Sequence, residues 1–259
     1  MEKKLTNVLI GQTISKFLLM GISFFTAPIF TRLLNPVDYG QLSVFHSWIS
    51  FSGILIGFQT HQSIALGRIK YTENFNKYVY NSSFISFLSF ILFLIIFLIF
   101  KNQIGNLFDF PSYLIPLIPI NCFCSYCITI YLCKLIQLKE ITKNAFISIL
   151  SAISNIFLSL LFIHFLKTEK YISKIIAETL STGVIGTILF IIIVYKGGIK
   201  LNKEYLVFCL SYSMPLILHY AGSIILNQSD RVMIKSLNNI DEAGIYSIVY
   251  TFSTVIGTI

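Results

Sequence analysis

The chain has 259 residues, of which 55% are hydrophobic and 12% are charged, and its formal net charge is +8 at pH 7. A soluble domain usually carries about twice that share of charged residues, so too little polar surface is present to coat a water-soluble globule. The lysines and arginines are spread among short segments and form no basic block or aromatic-basic motif, which argues against nucleic acid as a partner.

Long apolar stretches alternate with short polar segments along the whole chain. A helix needs about 20 apolar residues to cross a bilayer. Stretches of that length predict spans at roughly 8–31, 39–60, 78–100, 113–136, 144–166, 174–195 and 205–227, with an eighth beginning near 243. The fold class is therefore predicted to be all-α, a polytopic bundle of transmembrane helices.

Basic residues between the spans predict the orientation of the chain. The connections on the side of the N-terminus, which include Lys3 and Lys4, hold more lysine and arginine than the opposite connections, although Lys167, Lys170 and Lys174 add to the opposite side. The positive-inside rule then favours a cytoplasmic N-terminus. The last apolar stretch ends without a flanking loop, so we expect a piece of a longer protein.

A weak internal repeat links the first and the seventh connection. Residues 32–43 can be laid against residues 235–247 if one residue is inserted before the glycine. The matching pairs are Arg32 with Lys235, Leu34 with Leu237, Asn35 with Asn238, Val37 with Ile240, Asp38 with Asp241, Gly40 with Gly244 and Ser43 with Ser247. The repeat predicts two six-helix halves, residues 1–200 being the first and 201–259 the start of the second. Chance matching in a biased composition is the alternative.

Three short motifs give the chain a family resemblance. Residues 30–40, FTRLLNPVDYG, contain Arg-x-Leu followed by Asp-Tyr-Gly; residues 228–234, QSDRVMI, contain Asp-Arg; and residues 243–247 read AGIYS. In this order and at span ends, they resemble the polysaccharide flippases of the multidrug/oligosaccharidyl-lipid/polysaccharide exporter group. The family has a dozen or more spans, so the resemblance implies a longer protein, and we expect most of its second half to be missing here.

The resemblance implies a membrane carrier and no covalent chemistry, cofactor or metal. Its substrate would be a polyprenyl-pyrophosphate-linked oligosaccharide, moved across the bacterial plasma (inner) membrane by alternating access for O-antigen, capsule or exopolysaccharide synthesis. The expected partners are this lipid-linked substrate, the lipid bilayer and other proteins of polysaccharide assembly.

Polar residues inside the predicted spans are candidates for a substrate cavity. An ionisable side chain in hydrocarbon costs about 2.5–3.5 kcal/mol, so it normally faces protein or water. Helical spacing puts the candidates on one stripe in each of two spans: Gln12 and Lys16 in the first, and His219, Asn227 and Asp230 in the seventh.

Two cations are the first candidates for contacting the pyrophosphate, namely Lys16 and Arg231. The alternatives are that Lys16 snorkels to the cytoplasmic interface and that Arg231 pairs with Asp230 at a helix end. Arg32 is a further cavity candidate, and with Asp38 it is expected to brace the first outer loop.

Glu178, near the start of the sixth span, is a candidate site for a coupling proton or sodium ion. The alternative is an interfacial position exposed to headgroups. The thiols of Cys122, Cys124 and Cys127 lie in a predicted membrane helix without a nearby histidine, and we expect them to pack rather than to bind a metal.

Three other functions stay open from the residues. A drug or metabolite exporter of the same fold would couple to cations through a buried acid. A membrane polysaccharide polymerase or glycosyltransferase would need a long extracellular loop, and no connection exceeds about twenty residues. A structural membrane subunit would tolerate apolar residues along both polar stripes.

Overall fold

The computed structural model of the protein describes residues 2–166 and 169–257, with side chains from residue 11 to residue 253 except 14, 15, 167 and 168. Lys3, Lys4 and Lys167, which enter the orientation prediction, lie outside the described side chains. The helices are α1 (Glu2–Leu33), α2 (Pro36–Gly57), α3 (Ile64–Lys70), α4 (Phe75–Ile99), α5 (Lys101–Phe108), α6 (Leu117–Gln137), α7 (Ile141–Phe165), α8 (Lys170–Gly197), α9 (Lys203–Leu237) and α10 (Ile240–Gly257). The described residues contain no strand, and the predicted all-α class is confirmed.

Six helices of the described chain are long and apolar enough to cross a membrane, and seven if α2 and its bent continuation form one span. They lie where the apolar stretches predicted them, and the eighth predicted stretch corresponds to α10. One correction concerns Lys174, which was assigned to a connection. It lies inside α8 and is buried, because the helix begins at Lys170 and brings Lys174 one turn before Glu178.

The helices form two compact units. The first consists of residues 1–47, 138–181 and 228–259, and the second of residues 48–137 and 182–227. The boundary predicted at residue 200, between two six-helix halves, is a different division and stays a prediction.

In the first unit, α2 begins with a local signal that is readable in the sequence. The side chain of Asn35 caps the helix, since its Oδ1 accepts a hydrogen bond from the backbone N–H of Asp38 at 2.7 Å. Pro36 follows as the first helical residue, where its missing N–H is harmless. Asp38 is buried, and its Oδ1 accepts from the backbone N–H of Tyr171 in α8 at 3.4 Å.

In the second unit, the α2 span breaks and turns by 52° before α3. Phe58 and Gln59 take positive φ at the break, a conformation that is strained for side chains of this kind. Buried hydroxyl groups satisfy the freed backbone: the Gly57 carbonyl accepts from Thr60 Oγ1 at 3.1 Å and from Ser86 Oγ at 3.0 Å. Non-helical backbone within a membrane span is tolerated only where such partners exist.

The core of the second unit is aromatic and holds the cysteines of α6. Tyr78 is fully buried, stacks with Tyr71 at 5.2 Å between ring centroids, and donates a hydrogen bond to Ser63 Oγ at 2.6 Å. The Cys122 thiol donates to the Ile49 carbonyl at 3.2 Å. Cys124 and Cys127 are buried as well.

Candidate functional site

One turn of α2 in the first unit carries polar side chains that contact three other helices. We call this group the polar cluster, and it consists of Ser43, His46, Ser47, Lys174, Glu178, Gln228, Asp230, Arg231, Tyr246, Ser247 and Tyr250. The spacing of Ser43 and Ser47 at i, i+4 puts them on one helix face, while His46 points to α8. The cluster is built within helices that are otherwise apolar.

On the α8 side, Glu178 is held between a histidine and a lysine. Its Oε2 lies 2.7 Å from His46 Nε2, and its Oε1 lies 3.6 Å from Lys174 Nζ. The side chains of Glu178 and Lys174 are 12% and 10% exposed, whereas that of His46 is 44% exposed. The imidazole therefore connects a buried carboxylate to the surface of the unit.

Lys174 is further stabilised by an aromatic ring of α1. Its Nζ lies 3.8 Å from the centroid of the Phe30 ring, a cation–π distance at which a desolvated ammonium gains about 2 kcal/mol. A buried charge is tolerated only when it is paired in this manner. The alternative of a headgroup-exposed Glu178 does not match this burial.

On the α9 side, Gln228 joins α2 to the arginine of the Asp-Arg motif. Its Oε1 accepts from Ser47 Oγ at 3.2 Å and from a terminal N–H of Arg231. The Arg231 guanidinium also lies over the Tyr250 ring of α10, at 4.7 Å from its centroid. The neighbouring Asp230 accepts from Tyr246 O–H at 2.7 Å.

Helices α2 and α10 also contact each other through Gly40 and Ser43 on α2 and Gly244 and Ser247 on α10. We call this contact the glycine seam. A Cβ atom on Gly40 would collide with the Ile240 carbonyl oxygen, and one on Gly244 would collide with the Pro36 carbonyl oxygen. Ser247 Oγ donates to Ser43 Oγ at 2.9 Å. Only glycine allows backbones to approach this closely.

The glycine seam joins two residue pairs that the predicted internal repeat matches. Gly40 lies against Gly244 and Ser43 against Ser247, and in both pairs the two residues are 204 positions apart in the sequence. The same interval relates the ends of α1 and α9, Leu33 and Leu237. The repeat, with its inserted residue, stays a prediction.

The predicted cavity residues have different surroundings. Asp230, Arg231 and Glu178 belong to the polar cluster. Of the others in the first unit, Gln12 is half-buried, and Lys16 and Arg32 are exposed. In the second unit, His219 and Asn227 are exposed, and Asn227 Nδ2 donates to the Ser223 carbonyl one turn before it at 2.7 Å.

Sequence reasoning missed two members of the cluster that contact Glu178, His46 and Lys174. His46 is a single histidine in an apolar span and has no local motif. Lys174 and Glu178 are spaced i, i+4, which is the spacing of an ion pair on a helix. The contact between Lys174 and Glu178 could therefore have been predicted from the sequence.

Comparison with known proteins decides the family. The family model described as "Polysaccharide biosynthesis protein" matches residues 6–259, nearly the whole chain. The chain belongs to this family. The resemblance to polysaccharide flippases that the motifs indicate is confirmed by this match, and with the helix pattern it makes the protein a multi-pass membrane protein of polysaccharide biosynthesis. Searches of curated proteins and of solved structures gave no significant match.

Proposed function

We propose that the protein is a flippase that moves polyprenyl-pyrophosphate-linked oligosaccharide repeat units across the bacterial plasma membrane by alternating access. It acts as a transporter and not as an enzyme, with its N-terminus in the cytoplasm, beside other proteins of polysaccharide assembly. The observation that carries the proposal is the polar cluster, a set of charged and hydrogen-bonding groups kept inside apolar helices of a polysaccharide biosynthesis protein.

Arg231 is the proposed contact for the pyrophosphate. Guanidinium groups bind phosphate oxygens through two parallel N–H bonds. The Arg231 side chain is only half-buried, and Gln228 and Tyr250 hold it from two sides. A fixed guanidinium loses little conformational entropy when an anion arrives. Lys16, Arg32, Gln12, His219 and Asn227 are proposed as secondary contacts for the phosphate and the sugar hydroxyls.

Glu178 is the proposed coupling site. Its carboxylate is buried, while His46 reaches the surface of the unit. A proton could therefore pass from the surface of the unit to Glu178 through the His46 imidazole. Protonation of Glu178 would remove its charge attraction to Lys174 and rearrange its hydrogen bond with His46, which joins the protonation state to the packing of α2 against α8.

A buried acid also favours a second candidate, a cation-coupled exporter of drugs or metabolites. Such a transporter needs a carboxylate that is shielded from water and accessible to an ion, and Glu178 meets this description. The two candidates differ in the cargo. A flippase requires a cation for pyrophosphate, whereas an exporter of apolar cations would be hindered by Arg231.

Complementation tests the proposal. The full-length parent protein is expressed in a strain that lacks its own oligosaccharide flippase, with the variants Arg231→Ala and Lys16→Ala and, as a matched control, Lys139→Ala at an exposed helix connection. We expect surface polysaccharide to return with the parent and the control and to be lost with Arg231→Ala at equal membrane levels by immunoblot.

The same strains distinguish the proposed flippase from an exporter and from an enzyme. Resistance to cationic dyes without surface polysaccharide would support the exporter, and changed chain length of the polymer without a transport defect would support an enzyme. Surface polysaccharide that returns equally with parent, Arg231→Ala and Lys16→Ala would remove the cationic cavity from the proposal.

A further inference from the structure

A basic pocket lies within the second unit, where α4 begins, α8 ends and α9 begins. Its volume is about 650 Å³. Three lysines line it: Lys77 in the first turn of α4, Lys200 in the connection after α8, and Lys203 at the start of α9. No carboxylate is among the described residues that line it, so the pocket has a local charge of +3.

The pocket is a fixed part of the fold. The buried side chain of Asn81 donates to the Lys200 carbonyl at 3.3 Å and accepts from the Asn202 backbone N–H at 2.8 Å, which ties the connection to α4. The nearest acid along α9, Glu204, is directed elsewhere: its Oε1 accepts from Tyr71 O–H at 2.9 Å and lies 3.6 Å from Lys70 Nζ. The three lysines of the pocket are therefore not neutralised by it.

An apolar groove of about 700 Å³ adjoins the basic pocket and shares Gly198, Ile199 and Lys200 with it. The rest of the groove is lined by the last two turns of α8, from Phe190 to Tyr195. Ile191 and Ile199 are 65% and 79% exposed there. Two turns of helix extend about 10 Å, so the groove runs from the lysines along the side of a membrane span.

The position of the pocket along the spans fits a lipid headgroup. Helix α4 has 25 residues and α8 has 28, and at about 1.5 Å per residue both exceed a hydrocarbon core of about 30 Å. Their ends, where the lysines lie, are then at headgroup depth, and the groove below them is at the depth of acyl chains.

We propose that the basic pocket and the apolar groove together bind an anionic phospholipid of the bilayer. The phosphate lies among Lys77, Lys200 and Lys203, and one acyl chain lies along the end of α8. Zwitterionic lipids fit less well, because their ammonium group would approach three lysines. This site goes beyond the proposed transport function, since none of its residues belongs to the polar cluster and binding does not require transport.

Native mass spectrometry of the purified protein tests the site. The protein in detergent is titrated with dioleoyl phosphatidylglycerol or dioleoyl phosphatidylcholine. The variant Lys77→Gln/Lys200→Gln/Lys203→Gln is compared with Lys101→Gln/Lys139→Gln/Lys143→Gln, a control that removes the same charge elsewhere. A lysine beside an anionic lipid contributes roughly fivefold, so we expect the pocket variant to bind phosphatidylglycerol about 100-fold more weakly than the parent. The control should bind like the parent, and circular dichroism checks that both variants are folded.

Other outcomes would overturn the proposal. Equal binding of the two lipids, or equal binding by pocket variant and control, would mean ordinary lipid adhesion. Competition by inorganic phosphate at equal concentration would mean a free-anion site. Displacement of phosphatidylglycerol by a polyprenyl pyrophosphate at stoichiometric amounts would assign the pocket to the transported lipid.

A second variant, Val194→Trp, fills the groove without changing charge, and it should weaken the binding of long-chain lipid but not of glycerol phosphate.

Discussion

The glycine seam gives a prediction whose magnitude follows from the structure. In Gly40→Ala the new Cβ would meet the Ile240 carbonyl oxygen at less than 3.0 Å, and in Gly244→Ala it would meet the Pro36 carbonyl oxygen equally closely. The obstacle in both is backbone and cannot rotate away. The two helices must separate by about 1 Å, and overpacking of this kind destabilises by about 1–3 kcal/mol.

Thermal unfolding of the detergent-solubilised protein measures this effect. For a chain of this size about 1 kcal/mol corresponds to 2–4 °C, so each variant should melt roughly 2–12 °C below the parent. Gly21→Ala and Gly222→Ala are matched controls, because a Cβ meets nothing within 4 Å at either position. Alanine is a better helix former than glycine by about 1 kcal/mol, so both controls should melt at or slightly above the parent temperature.

The double variant Gly40→Ala/Gly244→Ala tests the geometry more sharply. One displacement of α10 from α2 relieves both collisions. The fall in melting temperature should therefore be close to that of the less stable single variant and not to the sum of the two. Melting temperatures of the single variants within about 1 °C of the controls would refute the seam. Additive losses in the double variant would refute a shared contact, since the two glycines would then act at separate places.

Three further predictions concern the polar cluster. Glu178→Gln leaves the buried lysine without its carboxylate and should lower stability by about 3–5 kcal/mol in detergent melting, whereas His46→Gln, at a half-exposed position, should lower it by less than about 1 kcal/mol. Ser43→Cys/Ser247→Cys should form a disulfide between α2 and α10 on oxidation, since the two hydroxyl oxygens are 2.9 Å apart. Surface polysaccharide should fall on oxidation and return after reduction. Continued export by the cross-linked protein would show that α2 and α10 do not separate at the glycine seam during transport. Arg231→Lys should restore part of the surface polysaccharide lost in an Arg231→Ala strain, because it keeps the charge without the two parallel N–H bonds.

The sequence predicts the helices well, because a span of about 20 apolar residues is a strong local signal. The start of α2 was also readable, since Asn35 and Pro36 are a cap and a first helical residue. The break after Gly57 could not be predicted from the sequence, because phenylalanine and glutamine rarely adopt the positive φ that Phe58 and Gln59 have. Their conformation depends on hydroxyl groups that other helices bring to the break.

The candidate site was predicted in part. The Asp-Arg motif identified Asp230 and Arg231, and the position near the start of the sixth predicted span identified Glu178. His46 was not recognised as its partner, because the two lie 132 residues apart and meet only when α2 packs on α8.

The energetics of the Glu178 group argue that it is kept for a function. Replacing a buried ion pair by apolar side chains of similar volume is often neutral or stabilising, so packing alone gives no reason to retain Lys174 and Glu178 between α2 and α8. The desolvation of both charges is opposed here by three contacts, from His46, from Phe30 and between the two residues themselves. Each contact comes from a helix that would have to move if the first unit changed its packing during transport. Protonation of Glu178 removes the charge that its pairing with Lys174 needs, and we therefore propose a proton as the ligand that joins this group to movement of the helices.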